Sequence, residues 1–424
     1  MIVGGLLGIL TVCLAIGMPI SHAMGLSAVL ALALEGDIPL LLLAQRFYDA
    51  LDSFPLLAVP LFVLAGELMN VAGITERLVG LSRALVGHLR GGLAQASIVA
   101  NMFMSALSGS GLADLAAIGS MMIPAMKREG YRPEFAAAVL ACAAMMGPII
   151  PPSIIAVIYG SVTGVSIGAL FLGGAIPGVL AGLAMMVVTW YLAPRAGGQP
   201  TRRATVPEVR RATRQALPAL LMPLIIIGGI MSGAFTPTEA GAVAALYAIL
   251  FGLVTRRHTT SSLYANFASA ASVTAGALIT LGGAALFSWI LSRAGVGAMA
   301  LRALVAVTDS PALTIPIILV FFFLVGTFLE PVPALIIIVP VMTPIIQHLG
   351  FDPVHFGIIA IMMLVYGSVT PPVGILAMVA CRIAGIEYSR SFGMLVPYSV
   401  AWLAVVLLVA YIPPLVLWLP SLMR

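Results

Sequence analysis

Four short stretches concentrate hydroxyls, carboxylates and helix-breaking residues in an otherwise apolar chain. They are "SALSGSGLAD" (Ser105 to Asp114), "GPIIPPS" (Gly147 to Ser153), "GTFLEPVP" (Gly326 to Pro333) and "GSVTPPV" (Gly367 to Val373). Where a helix breaks, backbone carbonyls lose their partners and can coordinate a cation, while half-helix N-termini offer N–H groups to an anion. Ser108, Gly109, Ser110, Gly147, Pro148 and Pro151 are therefore read as one sodium site, built from hydroxyl and carbonyl oxygens. Gly326, Thr327, Gly367, Thr370 and Pro371 form its counterpart. Ser105, Asp114, Ser153 and Glu330 lie beside these groups and shape the site or face the substrate. Asp114 either caps the helix that follows or contributes negative charge, and the same alternatives hold for Glu330.

Other chemistries lack their residues. The five histidines are scattered with no metal-ligand spacing, so no transition metal is expected. "GSG" at 109 to 111 has no Gly-Lys-Ser/Thr after it and is no phosphate loop. Cys13, Cys142 and Cys381 are distant and set in apolar runs, so they read as core thiols. Neither an organic cofactor nor catalysis is expected. An intramembrane enzyme needs a catalytic pair at midplane, and the candidate acids Asp114 and Glu330 belong to different stretches.

The elements that position these groups lie in a bilayer. Of 424 residues, 61% are hydrophobic and 8% charged, and the mean hydropathy is +1.15, too apolar for a soluble core. The net charge of +5 comes from arginines in short loops, where it signals topology and not nucleic acid. The first residues have neither a basic n-region nor a cleavage site and read as a retained helix. Spans are expected at 2–20, 21–35, 56–72, 168–193, 216–233, 237–254, 274–291 and 391–419. Segments 134–163 and 353–382 are long but interrupted by "GPIIPPS" and "GSVTPPV", so each is expected to be a broken helix. Segments 92–127 and 311–347 carry a central break with arms of about 16 residues, which suits re-entrant hairpins. "ITERLVGLSRALVGHLR" (74–90) is expected to lie along the inner interface, and "TTSSLYANFASAA" (259–271) is too short and polar to span. Glu67 is expected to bond across helices, and Glu239 to start a helix behind Thr236 or Thr238.

At an offset of 220 residues Pro124, Gly130, Tyr131, Pro133, Gly147, Pro151 and Pro152 meet Pro344, Gly350, Phe351, Pro353, Gly367, Pro371 and Pro372. At 222, Ala72-Gly73 meets Ala294-Gly295. Two repeats follow, 1–193 and 216–424, joined by a basic cytoplasmic linker at 194–215. With the N-terminus outside, all but Arg46, Arg293, Arg302 and Arg424 of the 20 Lys and Arg fall inside. The first hairpin then enters from inside and the second from outside, so the repeats are inverted. Inverted repeats with broken helices are the pattern of a secondary transporter whose site lies near the midplane.

"SALSGSGLADLAAIGSMMIPAMKREGY", "GPIIPPSIIAVIYG", "FTPTEAGAVAALYA", "GFDPVHFGII" and "TPPVGI" run along nearly the whole chain. In combination they resemble the large membrane subunit of tripartite ATP-independent periplasmic (TRAP) transporters. The resemblance implies an all-α polytopic, elevator-type importer coupled to Na+ in a bacterial or archaeal inner membrane. It implies a small four-helix membrane subunit on a separate chain and a periplasmic substrate-binding protein. It also implies an organic-acid substrate: a C4-dicarboxylate, sialic acid, sugar acid or keto acid. Where relatives carry Asn four residues before the glycine of the second break, this chain has Met363, which alters the second ion site or the substrate contact. A stand-alone divalent-anion sodium symporter is the alternative, but such proteins carry a Ser-Asn-Thr triplet at both hairpin tips, unlike "SGSG" and "FLEPVP".

Overall fold

The structure is a computed structural model that describes residues 2–36, 38–197, 201–308 and 310–423. Among the described residues every regular element is a helix. In lipid this follows from the need to satisfy each backbone group within its own segment. Part of the expected linker, 198–200, and Arg424 lie outside the described residues.

The first half opens with α1 (Ile2–Ala15) and α2 (Ile20–Glu35). Gly17, at φ 83°, and Pro19 end the first helix early, so α1 has 14 residues in place of the span expected at 2–20, while α2 coincides with the short segment expected at 21–35. Next come α3 (Leu40–Leu51), α4 (Ala58–Val71), which continues a short 3₁₀ turn from Phe54, and the amphipathic α5 (Ile74–Val86). The first hairpin is α6 (Gly92–Ser108), α7 (Gly111–Asp114), one π turn (Leu115–Gly119) and α8 (Ser120–Arg128). The first interrupted segment is α9 (Pro133–Ala144) and α10 (Ile154–Thr163), followed by α11 (Ile167–Leu192).

The second half opens with α12 (Val206–Met231), α13 (Pro237–Val254), α14 (Thr260–Arg293) and α15 (Val296–Val305). It continues with α16 (Pro311–Phe328), α17 (Pro331–Leu349), α18 (Pro353–Gly367), α19 (Ile375–Ala384), α20 (Phe392–Tyr411) and α21 (Pro414–Ser421). Three expectations change here. The linker is helical from Val206, where Thr205 and Glu208 form a capping box, so α12 starts ahead of the span expected at 216–233. Segment 259–271 is no separate stretch: Thr259 caps α14, whose 34 residues extend about 51 Å, well past a hydrocarbon core of about 30 Å. The last segment is divided at Pro413 and Pro414 into α20 and α21.

Seven of the described helices are long and apolar enough to cross a membrane: Phe54–Val71, Ile167–Arg195, Val206–Met231, Pro237–Val254, Thr260–Arg293, Pro331–Leu349 and Tyr388–Tyr411. The chain is a multi-pass membrane protein. Length alone does not separate α17 from a span, and the break at Leu329 and Glu330 is what divides it from α16.

One packed group joins α4 to α13 and brings α2 and α3 against α14. Gly283 permits the α2 crossing, since a side chain there would lie 2.7 Å from the Ser21 carbonyl. A second group packs α6, α9, α11, α18 and α20 together. Cross-helix bonds fix it: Tyr159 donates to the Pro353 carbonyl at 2.9 Å, Trp402 to that of Met362 at 3.1 Å, and Thr189 pairs with Tyr398 at 2.8 Å. Lys127 at the end of the first hairpin donates to the Ala384 carbonyl at 2.7 Å, tying α8 to the end of α19, and Arg390 donates to Glu134 at 2.9 Å, tying α9 to the 3₁₀ turn Tyr388–Ser391 that follows.

Candidate functional site

The tip of the first hairpin is built from local backbone demands. Gly109 closes α6 in the left-handed region at φ 62°, a conformation open to glycine. Ser110 is extended and caps the following helix, accepting from the Ala113 N–H at 3.5 Å. The N-cap is thus Ser110, and the Asp114 carboxylate is spent elsewhere. Asp114 has no exposed surface and accepts hydrogen bonds from Ser105 Oγ at 2.9 Å and Ser108 Oγ at 2.5 Å. Ser108 Oγ in turn accepts from the Ser110 N–H at 3.1 Å.

This tip threads into the first helix break. Ser153 caps α10, accepting from the Ala156 N–H at 3.1 Å while donating to the Pro148 carbonyl at 2.5 Å. The Ile154 N–H donates to the Gly109 carbonyl at 3.4 Å. A Cβ on Gly147 would lie 2.6 Å from Gly111 N and 2.8 Å from Asp114 Oδ2, so only glycine lets the break sit against the carboxylate. The Pro151–Pro152 bond is cis, as is Pro371–Pro372. Ser105, Ser108, Gly109, Ser110, Asp114, Gly147, Pro148 and Ser153 thus form one cluster from α6, the tip and the break.

The second set is assembled differently. Gly326 and Gly367 lie back to back, and a Cβ on Gly367 would meet Gly326 and lie 2.6 Å from Thr327 N. Thr327 donates to the Leu324 carbonyl within α16 at 2.7 Å, and Thr370, just past the end of α18, donates to the Tyr366 carbonyl at 3.0 Å. Met363 is buried in α18 and brings no oxygen to this break. Glu330 stands at the N-cap position of α17 without a capping bond, ahead of Pro331, and is exposed to the central cavity. Pro371 is exposed at the second break.

That cavity, of about 480 Å³, lies between both tips and both breaks. Gly109, Ser110, Pro148 and Glu330 line it directly, whereas Ser105, Asp114, Gly147 and Ser153 are not on its wall. Pro151, Gly326, Thr327, Gly367, Thr370 and Pro371 are also absent from its lining, which Ser368 of the second break joins instead. Its far wall was not anticipated: Ser21 of α2, Val59 and Val63 of α4, and Thr274 and Thr280 of α14. Thr274 Oγ1 is buried without a partner. In the sequence these threonines sit in what reads as an ordinary span, and only their hydroxyls mark them.

Residues 7–415 match the model of the family described as the tripartite ATP-independent periplasmic transporter, DctM component. The chain belongs to the DctM family. A sialic acid TRAP transporter large permease protein of Vibrio cholerae is 38% identical over 99% of this chain and 98% of its own length. A C4-dicarboxylate TRAP transporter large permease protein of Pseudomonas aeruginosa is 36% identical over 94% of each chain. These DctM relatives are named as transporter permeases, so this DctM protein is a transporter component and not an enzyme. The crystal structure of the YdaH transporter from Alcanivorax borkumensis superimposes with a TM-score of 0.64 over 87% of this chain and 86% of that one, at 16% identity, and so shares the fold of this DctM chain.

Proposed function

We propose that this permease imports an organic acid, driven by a sodium gradient, through an elevator movement of the hairpins and broken helices against the remaining helices. It works in an inner membrane with a small four-helix subunit and a periplasmic binding protein that delivers the acid. The observation that carries the reading is the cavity of about 480 Å³ bounded by two hairpin tips and two helix breaks on one side and by α2, α4 and α14 on the other. Four interrupted elements meeting at one cavity supply both kinds of ligand group at once.

Each group then has a task. Asp114, buried against Gly147 and bonded by two serines, provides the negative charge of the first sodium site, with oxygens of Ser108, Gly109, Ser110, Gly147, Pro148 and Pro151 around it. Glu330 gives charge to a second site that draws on Gly326, Thr327, Gly367, Thr370 and Pro371. The N-termini of α10 and α19 line the cavity and favour a carboxylate through their dipoles. Relatives named for sialic acid and for C4-dicarboxylates support a carboxylate substrate here.

An inverted repeat is part of the proposal. Its support is that residues related by the 220 offset have the same local role: Gly130 and Gly350 both take positive φ, at 85° and 65°, and Pro133 and Pro353 both open helices. Gly73 and Gly295, at 76° and 69°, each precede a short amphipathic helix. The test is reconstitution of the chain with its small subunit and binding protein. Accumulation of an organic acid that follows an imposed sodium gradient is expected, and accumulation indifferent to sodium contradicts the proposal.

A further inference from the structure

A second, smaller cavity of about 130 Å³ lies between α4 and the first hairpin. Glu67 and Asn70 line it from α4, and Ser108 and Ser110 from the hairpin tip. Glu67 Oε1 accepts from Ser269 Oγ of α14 at 2.8 Å, while its other oxygen, Oε2, is buried with no partner. A carboxylate oxygen cut off from water without a donor is costly, the more so in a bilayer. The space is too small for an organic acid but ample for a hydrated ion, since a water occupies about 30 Å³. One carboxylate with an amide and two hydroxyls is a set of hard oxygen donors carrying a single charge, which suits a monovalent cation.

Ser108 connects this cavity to the cluster behind it, because it lines the cavity and its hydroxyl donates to Asp114. We infer that Glu67 is a recruiting site for the coupling cation: sodium waits at Glu67 and Asn70 before passing Ser108 to the Asp114 site. This rests on the sodium reading above. A carboxylate at the mouth of a low-dielectric path raises the local cation concentration, typically by about 10-fold or more. Its negative charge also lowers the potential at the Asp114 site, which Ser108 joins to this cavity, so losing it weakens equilibrium sodium affinity without removing the final site.

The test is thermal stabilisation of the purified permease with its small subunit, titrating NaCl against choline chloride. E67Q is expected to raise half-saturating sodium roughly tenfold with the same final stabilisation. S269A, which breaks only the bond between α4 and α14, is expected to leave half-saturation at its wild-type value. An unchanged half-saturation in E67Q overturns the inference, and so does an equal shift in S269A, which would make Glu67 a helix-packing residue. Should E67Q not be recovered folded, N70A reads the same cavity: a rightward shift supports the site and no shift overturns it. If the wild type is not stabilised by sodium at all, the sodium reading itself fails before any variant is compared.

Discussion

Asp114 and Ser110 divide the polar roles at the hairpin tip between them. Ser110 caps the helix, and the carboxylate is left with two serine donors on the facing arm. Asp114→Asn is therefore expected to raise half-saturating sodium roughly tenfold or more, as befits loss of a charged interaction of about 1.5–3 kcal/mol, measured by sodium-dependent thermal stabilisation. Ser110→Ala is expected to weaken sodium dependence and to lower stability by about 1 kcal/mol through the lost cap. Unchanged sodium dependence in Ser110→Ala would remove that residue from the ion site. The break in the helix and its cluster of polar groups at "SALSGSGLAD" were legible from its residue types. Which hydroxyls turn to Asp114 was not, because Ser105 and Ser108 reach it across a chain reversal whose geometry Gly109 and the helix break jointly determine.

At the scale of elements, the interruptions at "GPIIPPS", "SGSG", "FLEP" and "GSVTPPV" were readable because glycine and proline act locally on the backbone. Helix ends without such punctuation were not. The polar run 259–271 continues into α14 because hydroxyls and small side chains tolerate a helix, and its capping box at Thr259 and Ser262 stabilises the start outside the apolar stretch. The cavity-lining role of Thr274 and Thr280 depends on which way α14 is rotated, a property of packing and not of periodicity. The contact between α16 and the end of α18 gives an element-level prediction. Gly367→Ala places a methyl group against the backbone of Gly326 and Thr327 and is expected to destabilise by about 1–3 kcal/mol. The control is Gly228→Ala in α12, where nothing lies within 4 Å, and it is expected to be neutral or mildly stabilising. Thermal unfolding in detergent compares the two, and equal midpoints would contradict this packing account.

At the scale of the molecule, family membership rests on a match that runs along nearly the whole chain, which is why motifs dispersed from Ser105 to Ile375 could be read together. The far wall of the cavity emerges only when both halves fold onto each other, so no single stretch announced it. An elevator requires the first hairpin to move against α4. In a background without native cysteines, Val63→Cys and Ala113→Cys, which line the same small cavity from α4 and from the first hairpin, are expected to form a cross-link that stops uptake until it is cleaved. Full-rate uptake with the cross-link in place would rule out that movement. The central claim is tested most directly by uptake into proteoliposomes containing this chain, its small subunit and its loaded binding protein. The account predicts accumulation of the acid only under an inward sodium gradient, and accumulation of the same size with choline replacing sodium would contradict it.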